Sequence, residues 1–192
     1  MHCATAADVK ASTLFLYLLL HVAVAEACTC VSARTSERQK IATAYRQEAL
    51  IFVGQVLRVD TVATTDTIQV ADQGPVERRI RLIRREELRY TFAVSRQFKG
   101  PQHSSTVQLY TEMQSSMCGK QFAIGSEHLV YAYQVSLKAS PYGGPPVPIP
   151  PYFATSICDR NQPINRVKRG ELRYLARLAQ ADQYTQTAHG SR

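Results

Sequence analysis

LIFVGQVLRV, residues 50–59, is the part of this 192-residue chain that most directly indicates its fold. The run is rich in β-branched and other apolar residues, which favour an extended strand. Its single glycine, Gly54, interrupts the run, and such a glycine often marks a bulge or the bend of a barrel strand. The stretch therefore predicts a bent strand in a mainly β protein.

A helix is predicted directly before this strand, over about Glu37–Gln47. Ser36 and Gln39 have the spacing of a capping box, in which two side chains satisfy backbone N–H groups at the start of a helix. Ile41 and Tyr45 follow at helical spacing. The first strand is therefore expected to follow a capped helix.

Four further strands are predicted after the first. A long polar stretch, residues 61–77, contains the turn signal Gly74-Pro75. Beyond it, residues 80–83 and 88–94 alternate apolar and polar side chains and are taken together as the second strand. The third, fourth and fifth strands are predicted over residues 106–110, 128–133 and 153–157. Five strands with a helix is the count of an OB-type barrel, although the same count suits other small β folds.

The remaining segments are expected to lie outside the barrel strands. The proline-rich residues 140–151 suit a long surface loop, and neither a helix nor a central strand. A closing helix is predicted over residues 171–180, where leucines recur at helical spacing, and a polar, frayed tail from Tyr184. We expect one domain over residues 28–182 and a polar tail over residues 183–192.

The N-terminal residues 1–27 resemble a secretory signal. An apolar stretch follows Lys10 and ends at Ala25-Glu26-Ala27, with small residues at both positions that a signal peptidase reads. The stretch is short for a membrane span, so the mature protein is expected to begin at Cys28 and to be extracellular, or periplasmic in a bacterium. An uncut membrane anchor and a lipoprotein with its lipid on Cys28 are the alternatives.

Cleavage would remove Cys3 and leave an even set, Cys28, Cys30, Cys118 and Cys158. In an oxidising compartment such a set predicts two disulfides. A bond between Cys28 and Cys30 would close a small strained ring, so each is expected to pair with one distant cysteine, in either of two ways. A four-thiolate zinc site is the alternative, although the usual Cys-x-x-Cys spacing is missing.

The formal net charge is +8, and much of the positive charge lies in residues 78–85 and 166–169. Such a surface attracts polyanions, so acidic glycans are a possible partner, while a simply solvated surface is the plainer interpretation. The signal, the disulfides and the lack of an aromatic-rich strand argue against nucleic acid as a partner. No stable membrane insertion is expected.

No catalytic constellation is visible in the sequence. The histidines of the mature chain, His103, His128 and His189, are scattered without metal-ligand spacing. No glycine-rich phosphate loop or nucleophile elbow is found. We therefore expect a protein that is not an enzyme and has no cofactor of its own.

The unusual feature is a cysteine as first mature residue, with a second cysteine two residues later. Two disulfides so close together would hold Cys28-Thr29-Cys30-Val31 as a rigid, exposed ridge that bears a primary amine. An α-amine has an ordinary pKa of about 7.7–8.0, so part of it is neutral and can bind a metal. Such an amine could displace the water from the open coordination position of a catalytic zinc.

This start resembles the inhibitory N-terminus of the tissue inhibitors of metalloproteinases. The likeness continues in order along the chain, over about residues 28–178. The matching segments are residues 50–54 as the first strand, 90–100 as the second-strand signature, 115–119 as the connector that carries the partner of the first cysteine, and 127–132 and 155–158 as the last two strands.

The resemblance implies a netrin-type, OB-like barrel in which Cys28 is bonded to Cys118 and Cys30 to Cys158. It implies a secreted inhibitor of zinc metalloendopeptidases, whose Cys28 α-amine and carbonyl oxygen chelate the zinc of the target protease. Thr29 would enter the specificity pocket on the primed side. The protease-binding residues implied are Cys28, Thr29, Cys30, Val31, Ser115, Ser116 and Met117.

The sequence departs from the vertebrate pattern of that family in three ways. Its first helix has no cysteine for a third disulfide, it has no six-cysteine C-terminal domain, and residues 140–151 are an insertion. A rival hypothesis is a secreted netrin-type binding module with no protease target, whose basic face binds an acidic glycan or another extracellular protein.

Overall fold

The computed structural model of the chain describes residues 28, 30, 34–69, 74–75, 80–101, 104–140 and 145–189. The predicted signal segment, Thr29 and Val31 lie outside the described residues. Within the described ranges, no helix has both the length and the apolar character needed to span a membrane.

The described chain forms two α-helices and six β-strands, which we number in chain order. The elements are α1 (Glu37–Gln47), β1 (Leu50–Gln69), β2 (Ile80–Lys99), β3 (Thr106–Glu112), β4 (Glu127–Lys138), β5 (Val147–Ala154), β6 (Gln162–Pro163) and α2 (Arg169–His189). Single turns of 3-10 helix cover Ser115–Met117 and Ile164–Arg166.

The predicted helix α1 is confirmed together with its cap. The Gln39 N–H donates to the Ser36 hydroxyl at 3.3 Å, and the Ser36 N–H donates to the Gln39 side-chain oxygen at 3.0 Å. This reciprocal pair satisfies two donors that the first turn of a helix leaves without partners. The chain leaves the helix at Glu48, just before β1 begins.

Strands β1 to β5 close into a barrel. They pair in the order β1-β2-β3-β5-β4, and β4 pairs again with β1 to complete the ring. β3 and β5 are parallel where Leu109 faces Phe153, whereas the other neighbours in the ring are antiparallel. The mainly β, OB-like fold predicted from the sequence is confirmed.

Both faces of β1 are buried at its start, because one faces the barrel interior and the other faces the helices. Phe52 packs inside the barrel with Phe92, and Ile51 packs with α1 and α2 on the outside. The pairing with β2 shifts register at Gly54, where an added Cβ would lie 2.7 Å from the carbonyl oxygen of Ala93. The irregularity predicted at this glycine, a bulge or a bend, is therefore confirmed.

No strand was predicted in the polar stretch 61–77, yet residues 61–69 are strand. β1 continues to Gln69 and pairs with β2 from Thr61↔Leu88 to Gln69↔Ile80, so residues 80–99 form one unbroken strand. Threonine, isoleucine and valine recur in this part of β1, and these β-branched residues favour a strand. β1 and β2 therefore extend well beyond the first strand predicted.

The proline-rich segment was predicted as a loop, yet its second half is strand. β5 begins at Val147 and includes Pro148, Pro150 and Pro151, whereas residues 155–157, predicted as strand, lie beyond its end. The early part of β5 pairs with β4 alone, and the pairing with β3 begins at Phe153. Proline is tolerated in this part of β5 because the strand has a neighbour on one side only, so N–H groups on the other side have no strand to bond.

Helix α2 is longer than predicted and ends at His189 instead of near residue 180. It therefore includes most of the segment that we expected as a frayed polar tail. No proline or glycine occurs in residues 171–189 to end the helix, and alanine and glutamine there are good helix formers. Leu175 is fully buried against the barrel, as its helical spacing indicated.

A buried ion pair fixes α2 to the barrel. The Tyr131 hydroxyl of β4 donates to Glu171 at 2.8 Å, and Arg160 contacts the same carboxylate at 3.3 Å. Arg160 also contacts Glu37 of α1 at 3.3 Å. Burial first, and then the Glu171 carboxylate, raise the pKa of the Tyr131 phenol. Both helices are thus tied to a residue that follows Cys158 closely in the chain.

Candidate functional site: an N-terminus held by two disulfides

The four cysteines of the predicted mature chain form two disulfides. Cys28 is bonded to Cys118 with Cα atoms 5.5 Å apart, and Cys30 is bonded to Cys158 with Cα atoms 5.2 Å apart. This is the pairing that the family resemblance implies. The same sulfur atoms cannot form the alternative four-thiolate zinc site, and the described residues contain no cluster of three or more His, Cys, Asp or Glu side chains able to hold a metal ion.

Cys118 lies in a tight loop, residues 113–120, which we call the connector. Its single turn of 3-10 helix, Ser115–Met117, ends with Cys118 in the left-handed region at φ 65°. The N–H groups of Cys118 and Gly119 donate to the carbonyl oxygens of Ser115 and Gln114 at 3.0 and 2.9 Å. These bonds hold the sulfur-bearing residue in one backbone conformation.

Gly119 is required by the close approach of the connector to β3. A Cβ at this position would lie 2.0 Å from the carbonyl oxygen of Glu112 and 2.8 Å from that of Gln114. Both obstacles are backbone atoms, which cannot rotate away. The glycine therefore lets the chain turn back against the strand directly after Cys118.

Cys158 lies in a second loop, residues 155–161, which we call the Cys158 loop. The Asp159 carboxylate accepts from the Ser156 N–H at 2.7 Å and from the Thr155 hydroxyl at 2.9 Å. The Cys158 N–H donates to the Ser156 hydroxyl at 3.2 Å. Short polar side chains thus replace the backbone pairing that the chain loses at the end of β5.

Asn161 fastens the Cys158 loop to the barrel. Its side-chain oxygen accepts from the Tyr131 N–H at 2.8 Å, and its NH₂ group donates to the Thr155 hydroxyl at 2.6 Å. Asn161 and Thr155 are both buried, so their bonds are shielded from water. The loop that carries Cys158 is therefore hydrogen-bonded to β4 through Asn161.

The two loops are also bonded to each other. The Ile157 N–H donates to the carbonyl oxygen of Cys118 at 2.9 Å. Residues 28 and 30 are consequently attached to two loops that already hold each other in place. A chain terminus is normally mobile, and here it is anchored at two points only two residues apart.

The structure brings together most of the predicted protease-binding residues. Cys28 is half-buried, Cys30 is exposed, and the residues of the 3-10 turn, Ser115, Ser116 and Met117, are exposed beside Cys118. Met117 has 48% of its surface exposed, so its side chain is accessible to a partner. Thr29 and Val31, the other predicted contacts, lie outside the described residues.

A cavity of about 270 Å³ lies directly beside the Cys28–Cys118 disulfide. Its lining joins the connector to the barrel strands, and it includes Met117, Cys118, Glu112, Tyr133 and Ser156. One carboxylate oxygen of Glu112 is buried and has no partner among the described residues. Sequence reasoning missed this cavity, because no local pattern shows that β3, β4 and the two loops meet here.

Sequence reasoning also missed Glu48, the residue that ends α1. Burial, followed by the nearby Asp159 carboxylate, raises its pKa to about 7, and Lys99 opposes that shift. Burial and the same Asp159 carboxylate also raise the pKa of the Tyr133 phenol. A carboxyl group that titrates near neutral pH therefore lies close to the Cys158 loop.

His128 is part of the barrel and not of this site. Its ring lies 5.0 Å from the ring of Phe122, and its Nε2 atom is 2.8 Å from the Ser126 hydroxyl. Burial, followed by the charge of Lys120, lowers the pKa of His128. The neutral form is thus favoured, which suits a packed core position.

Comparison with known proteins identifies one family. A family model described as TIMP, tissue inhibitor of metalloproteinase, matches residues 26–139. This range is more than half of the chain and includes Cys28, Cys30, the connector and strands β1 to β4. A comparison with curated proteins gives no match.

Proposed function

Because this chain belongs to the tissue inhibitor of metalloproteinase family, we propose that it is a secreted inhibitor of zinc metalloendopeptidases. In this proposal, a signal peptidase removes residues 1–27 and leaves Cys28 with a free α-amine. The α-amine and the carbonyl oxygen of Cys28 then chelate the catalytic zinc of the target protease. The metal in this proposal belongs to the protease.

The observation that supports this proposal is the anchoring of residues 28 and 30 to two loops that are bonded to each other. Binding normally costs about 0.5–1.5 kcal/mol for each flexible side chain that becomes ordered, and a mobile terminus would add backbone ordering to this cost. The two disulfides order residues 28 and 30 during folding, so this ordering does not reduce the free energy of binding. The amine can then approach a zinc ion as part of a rigid surface.

The chemistry of the target fits an amine ligand. A catalytic zinc is held by three protein ligands and keeps a fourth position for water or substrate. A neutral amine offers a lone pair of the same kind as an imidazole nitrogen, and it would displace the water that the protease needs for hydrolysis. Inhibition would thus require no reaction between the two proteins.

The remaining contacts are proposed to select the protease. Thr29 would enter the pocket on the primed side of the cleavage site, and Val31 would continue the contact along the cleft. Ser115, Ser116 and Met117 are exposed on the connector, where Cys118 is bonded to Cys28. They would fill neighbouring subsites, and Met117 suits this role because a flexible thioether adapts to pockets of different shape.

The proposal is tested on the secreted protein. Intact mass and N-terminal sequencing establish whether the chain starts at Cys28 with a free amine. The same preparation is then titrated against a panel of zinc metalloendopeptidases, with serine proteases as a control. We expect inhibition of one or more zinc enzymes and of no serine protease. A correctly processed, disulfide-bonded protein that inhibits no zinc enzyme would refute the proposal.

A further inference from the structure

The outer face of α2 carries arginines at positions 169, 173 and 177, which are four residues apart. Residues at this spacing lie on the same side of a helix, with about 6 Å of rise between them. The acidic residue of this part of the helix, Glu171, is turned inward to Tyr131 and Arg160. The outer face of this part of α2 is therefore positively charged, while its acidic residue lies on the inner face.

An open groove of about 470 Å³ runs between this face of α2 and strand β2. We call it the arginine groove, and its lining residues are Arg96, Gly170, Arg173, Ala176, Arg177 and Gln180. Three guanidinium groups and one amide thus supply the polar atoms of its wall, and no carboxylate is among the lining residues.

The positive charge of this groove is not neutralised within the described part of the chain. No salt bridge to a described carboxylate is formed by Arg96, Arg173 or Arg177, although other arginines of the protein form such bridges. Like charges that converge on one groove raise the local electrostatic potential and attract a polyvalent anion. An unpaired cluster of this kind is a cost to folding unless an anion occupies it.

Two of the three guanidinium groups are already held in place. Arg177 lies over the ring of Tyr174 at 5.5 Å, and Arg96 lies over the ring of Phe98 at 4.7 Å. A guanidinium that rests on a ring keeps its N–H edge free to donate bidentate bonds to an oxyanion. The groove is therefore prepared for sulfate or carboxylate groups before a ligand arrives.

We propose that the arginine groove is a binding site for a linear sulfated polysaccharide of the extracellular matrix. The disulfides assign the protein to an oxidising compartment, where such glycans are the dense linear polyanions. The lining has no aromatic ring for stacking nucleic-acid bases and no large apolar side chain for insertion into a lipid surface. This inference does not depend on the action of Cys28.

The experiment measures binding of a size-defined heparin oligosaccharide to the full protein at physiological ionic strength. The test variant is the double substitution Arg173→Gln with Arg177→Gln, since glutamine keeps the helix propensity of arginine. The control for net charge is Arg81→Gln with Arg84→Gln, two exposed arginines of β2 that lie outside the groove, of which Arg84 is paired with Glu86 at 3.6 Å. Each pair lowers the formal charge by two, from +8 to +6.

We expect the groove variant to bind the oligosaccharide roughly tenfold more weakly, the scale of one lost charge-assisted contact, while the control binds like the native protein. Desulfated heparin should not bind. Arg96→Gln, on a different element, should weaken binding in the same direction. Circular dichroism and protease inhibition should be the same for all these proteins.

Three results would overturn the proposal. The native protein could fail to bind heparin at physiological salt. Both double variants could weaken equally, which would show that net charge alone governs binding. Vesicles that contain phosphatidylserine could bind through the same arginines while the heparin oligosaccharide does not, which would assign the groove to a lipid surface.

Discussion

The backbone N–H of Ile157 donates to the carbonyl oxygen of Cys118 at 2.9 Å. Each residue belongs to a loop that carries one anchor of the N-terminal segment, so this bond joins the two disulfides into one unit. Because the bond is made by backbone atoms, no pattern of side chains in the sequence predicts it. It turns two separate cross-links into a single rigid base for residues 28 and 30.

Asn161→Ala tests whether the Cys158 loop depends on its buried network. The substitution leaves the Tyr131 N–H without the partner it has at 2.8 Å, and it removes the 2.6 Å bond to the Thr155 hydroxyl, which keeps Asp159 as a partner. A buried N–H left without a partner costs about 1–3 kcal/mol, so the free energy of unfolding should fall by about that amount. Denaturant unfolding measures the loss. Asn165→Ala, at an exposed position, is the control and should change little. Equal stability of the two variants would mean that the network does not hold the loop.

Gly119→Ala tests the close approach of the connector to β3. The new Cβ would meet the Glu112 carbonyl oxygen at 2.0 Å, so the backbone around Cys118 must move. We expect a loss of about 1–3 kcal/mol, typical of overpacking, with a lower thermal midpoint. Gly170→Ala is the matched control, because its Cβ meets no atom within 4 Å. Because Gly170 is the second residue of α2, this change should leave stability unchanged or raise it by less than the roughly 0.5–1 kcal/mol of a mid-helix site. A Gly119→Ala variant as stable as the native protein would contradict the packing described.

Glu48→Gln tests the carboxyl group beside Asp159. The folded pKa of Glu48 is raised to about 7 from an ordinary value of 4.5, so the folded state holds the proton more tightly than the unfolded state. This contribution to stability is complete below pH 4.5 and is lost as pH rises through about 7. Glutamine has no charge to acquire. The variant should therefore lose less stability than the native protein between pH 5 and pH 8, by about 1–2 kcal/mol after allowance for solvent screening.

The measurement for Glu48 is the thermal midpoint of both proteins across this pH range. Glu86→Gln, an exposed carboxylate of β2, is the control and should follow the native profile. Parallel profiles for the native protein and Glu48→Gln would show that Glu48 does not carry the pH dependence.

Cys118→Ser tests the contribution of the disulfides to folding. The two bonds close loops with sequence separations of 90 and 128 residues. For loops of this length, the chain-entropy model gives about 4–5 kcal/mol of stabilisation per bond, a large part of the stability of a small domain. The variant should yield little soluble secreted protein, measured against native and Ser116→Ala chains expressed in parallel. Native-like yield and melting temperature would mean that the barrel does not need this bond.

Local signals were sufficient to predict α1 and most of the barrel strands, whereas the strand count left other small β folds open and the resemblance implied the barrel. The capping pair Ser36 and Gln39, the bulge at Gly54 and the helical spacing around Leu175 each act within a few residues. The errors arose where pairing overrides composition. Residues 61–69 are polar yet extend β1 because β2 runs beside them, and Pro148 is accepted in β5 because one of its sides is an edge.

The cysteine pattern predicted a rigid N-terminal ridge with a free amine, whereas the disulfide pairing was implied only by the resemblance, since the residues themselves left two pairings open. The side chains and hydrogen bonds around the site depend on contacts between residues that are distant in the sequence. Glu48 and Asp159 are more than one hundred residues apart in the chain, and their interaction depends on how α1 meets the Cys158 loop. The bond from Ile157 to Cys118 likewise joins two segments that have no common pattern.

The most direct test of the central claim adds one alanine before Cys28. The extra residue converts the α-amine to an amide, whose nitrogen has no free lone pair for zinc, and it places atoms where the metal would sit. The barrel is untouched, so circular dichroism and melting temperature should stay the same. Chemical acetylation of the native amine makes the same change with fewer atoms. Inhibition by the native protein should also weaken as pH falls below the ordinary α-amine pKa of about 7.7–8.0, because a protonated amine cannot bind a metal.

The measurement is the inhibition constant of the native, alanine-extended and acetylated proteins against the same zinc metalloendopeptidase. The account predicts that the native protein inhibits and that both modified proteins fail to inhibit at concentrations at least about a hundredfold higher, a loss of about 2.7 kcal/mol or more in binding free energy. An alanine-extended protein that inhibits as well as the native one would contradict chelation by the Cys28 amine.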